Sequence, residues 1–210
     1  MSYLNIAALR ATPLKHEPYN YLVLPDFVQA ERFPAVVADY PQVPGPGSHP
    51  PSELRIEGHF KGLLEEMNGP DFRHAIEEKF GIDLLSRPTM FTVRGECRAT
   101  DGKIHTDSAT KLITVLLYMN ETWEKDGGRL RILRSGTDFE DFAEEVPPHG
   151  GTLLAFRRSE TSWHGHLPFD GPRRAIQMNW VTDKSVVARE QGRHRISSTI
   201  KKLNPFRKAS

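Results

Sequence analysis

The sequence predicts an α+β fold that is mainly β: a barrel or double-sheet jelly roll with an N-terminal helical buttress. Two observations lead to this prediction. Apolar residues recur at helical spacing up to about residue 85, and from Pro88 onward short apolar runs are separated by glycine and proline turns. Helices followed by closely spaced strands favour this architecture over alternating βαβ units.

Three helices are expected before residue 85. Asp26 is a candidate N-cap for the first, because apolar residues follow it at helical spacing up to Val37. A loop rich in proline and glycine, residues 41–51, comes next. A second apolar stripe runs from Leu54 to Met67 and ends at a strong stop signal, and Asp71 begins a third helix. The first 80 residues are therefore predicted to be mainly helical.

The second part of the chain is predicted to consist of strands. They are expected at residues 89–94, 112–119, 129–132, 152–156 and 173–181. The run 112–119 is apolar on both faces, which is typical of a strand covered on both sides. In the strand after Gly127 and Gly128, leucine and isoleucine alternate with arginine, so the arginines are expected to face solvent.

The composition is that of an ordinary globular protein. Lys and Arg number 28 against 27 Asp and Glu, with 26% charged and 38% hydrophobic residues, which argues against a disordered chain or a wholly basic nucleic-acid binder. The single cysteine, Cys97, excludes an internal disulfide and fits a reducing compartment. We find no secretory leader and no apolar stretch approaching ~18 residues, so a cytoplasmic protein without a transmembrane segment is expected.

The length favours one domain with an appended segment, since domains average roughly 150 residues. We expect that domain at residues 1–183, with helical support over 1–85 and the β core over 86–183. Residues 184–210 carry seven more basic than acidic side chains. This end is either a solvated helix or tail, or a docking patch for nucleic acid, an anionic membrane or an acidic partner, and the sequence does not decide between them.

A candidate metal centre combines His105 and Asp107 with a distant histidine, His164. Residues i and i+2 of an extended segment point to the same side and can bind one ion together. Two histidines and one carboxylate form the facial triad of non-haem Fe(II) oxygenases, which leaves coordination positions open. Catalytic zinc is the alternative metal. His166 competes with His164 for the third position, because both lie on one side of an extended segment.

An arginine at the start of the last strand is a candidate partner for a carboxylate. Arg173 and Arg174 follow His164 by nine and ten residues, and a dicarboxylate held at a metal by one end needs a fixed cation at the other. Neighbouring residues of a strand face opposite sides. If Arg173 points inward, then Ile176, Met178 and Trp180 pack against an outer layer of helices; spacing favours Arg173 over Arg174.

Five motifs in order resemble one family. They are His105-x-Asp107, Tyr118-Met119-Asn120-x-x-Trp123, Gly127-Gly128-x-Leu130-Arg131-Ile132, His164 and Gly171-x-Arg173. Together, over about residues 89–181, they resemble the 2-oxoglutarate/Fe(II)-dependent dioxygenases, specifically the prolyl-4-hydroxylase-like branch. The resemblance implies a double-stranded β-helix, the jelly roll already expected.

The resemblance also implies a chemistry and roles for residues. His105, Asp107 and His164 match the iron ligands, and Arg173 and Tyr118 match residues that contact 2-oxoglutarate. The implied reaction is hydroxylation of a peptidyl or free amino acid or another small molecule, with O₂ consumed, succinate and CO₂ released, and ascorbate as a supporting reductant. A small-molecule or peptide substrate is favoured over nucleic acid, since the arginine pattern of the nucleic-acid-demethylating branch is not visible.

The sequence departs from the family at one contact and leaves rival functions open. Some relatives have a 2-oxoglutarate-binding tyrosine on the strand before the His-x-Asp motif, and residues 92–98 offer none. Four arginines, at positions 94, 98, 129 and 131, are candidates for an anionic substrate, although solvated strand faces are the favoured interpretation. The alternatives to a dioxygenase are a non-catalytic jelly-roll binding module and a metalloenzyme that uses no 2-oxoglutarate.

Overall fold

Eight antiparallel strands form two sheets in the computed structural model, which describes residues 2–188. The strands are β1 (Tyr21–Leu24), β2 (Thr89–Cys97), β3 (Lys111–Tyr118), β4 (Leu130–Leu133), β5 (Phe142–Val146), β6 (Leu153–Arg157), β7 (His164–His166) and β8 (Gly171–Val181). The larger sheet has the order β1-β6-β3-β8-β2, and the smaller has the order β5-β4-β7. The structure is therefore mostly β, as the sequence predicts.

Four short α-helices lie in the first 80 residues. They are α1 (Ile6–Ala11), α2 (Phe33–Ala38), α3 (Gly58–Met67) and α4 (Pro70–Phe80). Helix α4 has Pro70 in its first turn and ends at Gly81, whose φ of 58° is readily adopted by glycine. The ring of Phe72 in this helix lies 5.9 Å from the ring of Trp180 on β8, so the helices and the larger sheet share one apolar core.

Two predictions about the N-terminal part were wrong. No strand is predicted before Pro88, yet β1 pairs with β6 at the edge of the larger sheet. The helix predicted to begin at Asp26 begins at Phe33 instead. Asp26 has a φ of +53°, and the backbone N–H of Phe27 donates to the carbonyl of Gly151 at 2.8 Å, so tertiary contacts hold this segment outside a helix.

The alternation along β8 directs one set of side chains to each face of the larger sheet. Ile176, Met178 and Trp180 pack into the apolar core with the helices. The opposite face carries Arg173 and three further side chains that line a cavity, which are Ala175, Gln177 and Asn179. This is the arrangement expected if Arg173, and not Arg174, points inward.

Residues 2–188 contain no helix with the length and apolar character that crossing a membrane requires. Most of the predicted basic C-terminal helix or tail falls at residues 189–210, outside the described part of the chain.

Candidate functional site

A cavity of about 440 Å³ lies between the two sheets. Strands β2, β3 and β8 of the larger sheet and β4 and β7 of the smaller one contribute to its wall, together with residues of the loop 102–110. The predicted ligands His105, Asp107 and His164 line it, and so does Arg173. Side chains that are far apart in the sequence therefore meet in a single pocket.

The three predicted metal ligands come together in this cavity. One potential ligand atom from each of His105, Asp107 and His164 lies within 4.8 Å of the other two. A backbone bridge between His105 and His164 joins the loop to β7, with both N–H···O distances at 3.0 Å. Among the described residues, no other group of three His, Cys, Asp or Glu side chains is placed to hold an ion.

Backbone carbonyls fix the orientation of both histidines. Nδ1 of His105 lies 2.8 Å from the carbonyl of Lys103, and Nδ1 of His164 lies 2.9 Å from that of Ser162. A ring nitrogen that donates to a carbonyl carries the proton, so in the neutral imidazole Nε2 is the nitrogen whose lone pair is available to a metal. Burial lowers the pKa of His164 to about 4, which keeps this imidazole neutral and able to bind a metal at pH 7.

Asp107 is held as a carboxylate by its neighbours. Nζ of Lys111 donates to Oδ1 at 2.6 Å, and the hydroxyl of Thr114 donates to Oδ2. Asn179 in turn donates to that hydroxyl at 2.8 Å, which orients it toward the carboxylate. Burial alone would raise the pKa of Asp107, but the charge of Lys111, with smaller contributions from His164 and the hydrogen bonds, leaves it lowered.

His166 lies in the cavity wall but outside the three-residue cluster. Its Nδ1 is 2.8 Å from the carbonyl of Leu167, and burial lowers its pKa to about 4. The loop glycine Gly102 packs against the other side of the ring. This histidine is therefore a neutral wall residue next to Arg173, whose charge also lowers its pKa.

Arg173, which lies in the cavity wall, forms a buried pair with Tyr118. Arg173 is 4% exposed, its Nε donates to the carbonyl of Gly128 at 2.8 Å, and its Nη2 lies 3.5 Å from the Tyr118 hydroxyl. Tyr118 is fully buried behind it and is not part of the cavity wall. Arg174 faces the other way and stacks on Tyr40, with its guanidinium 5.2 Å from the ring centre.

The four arginines considered for an anionic substrate differ in position. Arg94 lines the cavity. Arg131 was predicted to face solvent, and this was wrong, since it is 8% exposed and pairs with Glu145 at 2.8 Å and Glu140 at 2.6 Å. Strand β5, which the sequence analysis missed, supplies Glu145 and so makes this burial possible.

The residues that support Asp107 were also missed from the sequence. Lys111 and Thr114 follow it by four and seven residues, but only the approach of β3 to the loop brings them to its carboxylate. Asn179 comes from β8, 72 residues farther along. A polar residue inside an otherwise apolar strand, such as Thr114 or Asn179, is the one signal that could have marked them.

Gly102→Ala is expected to destabilise the fold by about 2–4 kcal/mol, because two penalties act at this position. Its φ of +78° disfavours alanine, and a Cβ would lie 2.3 Å from Nε2 of the buried His166. Gly81→Ala is the matched control: its φ is +58°, but nothing lies within 4 Å of a Cβ, so about 1 kcal/mol is expected. Denaturant unfolding measures both, and equal losses would contradict the steric argument.

Comparison with known proteins confirms the family resemblance of the motifs. Residues 96–182 match the family model of the 2OG-Fe(II) oxygenase superfamily. This range contains His105, Asp107, His164 and Arg173. No curated protein matches the chain.

Solved structures with similar folds are found at low sequence identity. A prolyl-4-hydroxylase from Pseudomonas putida is 19% identical, with 85% of this chain and 94% of that one covered and a TM-score of 0.54. A prolyl 4-hydroxylase from Phytophthora capsici is 14% identical, covering 88% and 68%, with a TM-score of 0.55. HygX from Streptomyces hygroscopicus, solved with nickel and 2-oxoglutarate bound, is 10% identical, covering 78% and 82%, with a TM-score of 0.51. At these identities the similarity is one of fold.

Proposed function

We propose, from the match of residues 96–182 to the family model of the 2OG-Fe(II) oxygenase superfamily, that this chain is an Fe(II)- and 2-oxoglutarate-dependent dioxygenase. Its substrate is a peptidyl or free amino acid or another small molecule, which it hydroxylates. The observation that carries the proposal is the convergence of His105, Asp107, His164 and Arg173 in one cavity. We assign the two sheets to a double-stranded β-helix and helices α1–α4 to its buttress, within one domain of residues 1–183.

The donor atoms of the triad suit Fe(II). Two neutral imidazoles and one carboxylate are the ligand set of the 2-His-1-carboxylate centres, and they leave positions free for co-substrate and oxygen. His105 and His164 would bind through Nε2, since their Nδ1 atoms are directed to carbonyls. When bound, Fe(II) supplies the oxidative decarboxylation of 2-oxoglutarate by O₂ to succinate and CO₂, coupled to insertion of an oxygen atom into a substrate C–H bond.

Arg173 is the residue assigned to the distal carboxylate of 2-oxoglutarate. It points into the cavity that the triad lines, and no carboxylate among the described residues pairs with it. The carbonyl of Gly128 fixes Nε and so aims the guanidinium. Burial raises the pKa of Tyr118, which keeps its hydroxyl protonated and able to donate a hydrogen bond. We assign to Tyr118 the role of holding Arg173, and with it the bound 2-oxoglutarate, from the side away from the cavity.

The protein positions the reactants and limits the access of water. Leu116 and Leu130, from the two facing sheets, give the wall an apolar part beside the polar triad. An apolar wall restricts the number of water molecules near a bound metal and gives an apolar part of the substrate a surface to pack against. The Lys111–Asp107–Thr114 arrangement keeps the anionic ligand oriented before the metal arrives.

The test of this function is iron binding and product formation. Protein purified without oxygen is expected to hold Fe(II) in stoichiometric amount, and aeration with 2-oxoglutarate and ascorbate is expected to yield succinate, slowly even without substrate. Iron content and succinate are measured on the same samples. Zinc in place of iron, with no binding of 2-oxoglutarate, would favour the metalloenzyme alternative. The absence of any bound metal would favour a non-catalytic binding module.

A further inference from the structure

The charges on the cavity wall are unbalanced. Three cationic side chains, Arg94, Lys111 and Arg173, line the cavity, and Asp107 is the one carboxylate among the described lining residues. The pocket is therefore prepared for more negative charge than the protein itself supplies.

Two of these cations already have a partner or a role. Lys111 pairs with Asp107 at 2.6 Å. Arg173 is held by Gly128 and Tyr118 and is assigned above to 2-oxoglutarate. A divalent metal and doubly charged 2-oxoglutarate bring equal and opposite charges, so loading the site leaves the positive excess of the wall unchanged, and Arg94 is the one of the three cations with neither an ionic partner nor an assigned role.

Arg94 is held in place, but the end of its guanidinium is free. Nε donates to the hydroxyl of Ser48 at 2.9 Å, and Ser48 lies in the loop that pairs with β2 through His49 and Val93. Neither Nη1 nor Nη2 has a hydrogen-bond or ion-pair partner among residues 2–188. The two nitrogens of this end form a planar fork that matches the two oxygens of one carboxylate.

Arg94 is a neighbour of Arg173 on the adjacent strand but is the more exposed of the two. It lies on β2, the edge strand of the larger sheet, directly opposite Ala175, whose small side chain leaves the space above β8 open. Arg94 is half-buried, whereas Arg173 is 4% exposed. Arg94 is therefore the cation more accessible to an entering substrate, and the more buried Arg173 keeps its assignment to 2-oxoglutarate.

We infer that the substrate carries a carboxylate, which Arg94 binds through its two Nη atoms while Ser48 holds Nε. This inference rests on the proposed function and narrows its substrate class to carboxylic acids. The carboxylate can belong to a free amino acid or related small acid, or to the C-terminus of a peptide. In either case the substrate is held by its carboxylate at Arg94, and the C–H bond that is oxidised lies between Arg94 and the metal.

The experiment compares acids with their uncharged amides on the full chain. The probes are the N-acetyl derivatives of the twenty standard amino acids and a set of pentapeptides with each C-terminal residue, each as the free acid and as the primary amide. Binding is measured by calorimetry on protein loaded with Ni(II) and 2-oxoglutarate, so that affinity is measured without turnover. Succinate formation and product mass are measured in parallel with Fe(II).

The wild-type protein is expected to bind at least one acid roughly tenfold more tightly than its amide, and Arg94→Gln is expected to abolish this difference. Arg94→Lys should restore part of it, because charge returns without the fork. Arg98→Gln is the matched control, since Arg98 is exposed and does not line the cavity. If tighter binding of the acid than of the amide is found among the N-acetyl compounds, the substrate is a small acid. If it is found among the pentapeptides, the substrate is the C-terminus of a peptide.

Three results would overturn the inference. They are no preference for any acid over its amide, a preference that survives in Arg94→Gln, and a rise in the KM for 2-oxoglutarate in Arg94→Gln that equals the rise in Arg173→Ala. The last would assign Arg94 to the co-substrate. Failure of the proposed function looks different, since wild-type protein would then form no succinate in an Fe(II)-dependent manner.

Discussion

Asp107→Ala is expected to abolish iron-dependent succinate formation and to prevent stoichiometric iron binding. Asp107 is the one anionic donor of the triad, so its removal leaves two neutral imidazoles to hold a dication. Residues that merely support a metal ligand typically contribute roughly 10–100-fold to metal affinity, and loss of the ligand itself should exceed that. Iron content after anaerobic dialysis and succinate yield on aeration measure the effect.

Two further variants make this result specific. Asp107→Asn keeps a polar side chain of the same shape near Thr114 and is expected to fold normally while losing the iron. Asp170→Ala removes an exposed aspartate that does not line the cavity and should leave iron binding unchanged. Full iron content and activity in Asp107→Ala would refute the proposed triad.

Arg173→Ala is expected to raise the KM for 2-oxoglutarate roughly thirtyfold to several-thousandfold. Truncating one partner of a buried, hydrogen-bonded charge pair costs about 2–5 kcal/mol, and a tenfold change in affinity corresponds to about 1.4 kcal/mol. This range applies to buried groups, and Arg173 is one of them, since it is 4% exposed. Initial rates of succinate formation over a range of 2-oxoglutarate concentrations provide the measurement.

The neighbouring arginine provides the matched control. Arg174 carries the same charge one position along β8 but is exposed and stacks on Tyr40. Arg174→Ala should leave the KM for 2-oxoglutarate within about twofold of the wild-type value, because an exposed charge on the far face of the sheet is screened by solvent. If Arg174→Ala raises the KM and Arg173→Ala does not, the assignment must be reversed.

Local patterns in the sequence predicted those parts of the fold that depend on neighbouring residues. The alternation along β8 placed Arg173 on one face and Ile176, Met178 and Trp180 on the other, because side chains of a strand alternate with a period of two. The predicted start of helix α4 lies within one residue of the observed start for a similar reason. Gly69, Pro70 and Asp71 are local signals for the beginning of a helix.

Features that depend on distant parts of the chain could not be predicted in this way. Strand β1 pairs with a segment more than 120 residues farther along, and the four residues of Tyr21–Leu24 show no alternation of their own. The burial of Arg131 depends on Glu145 from β5, which has a weak strand pattern. Asp107 was a candidate ligand from its spacing, but Lys111, Thr114 and Asn179 reach it only once the sheets have formed.

The pairing of β1 with β6 has a consequence for how the chain folds during synthesis. Tyr21 lies opposite Phe156, so the first strand has no sheet to join until the ribosome has released about three quarters of the chain. Contacts of such long sequence separation slow folding, and until they form the edge of β6 stays open to strands of other molecules. Residues 86–183 expressed alone lack β1, so the edge of β6 would stay uncovered. We expect this fragment to aggregate and not to form a minimal catalytic domain.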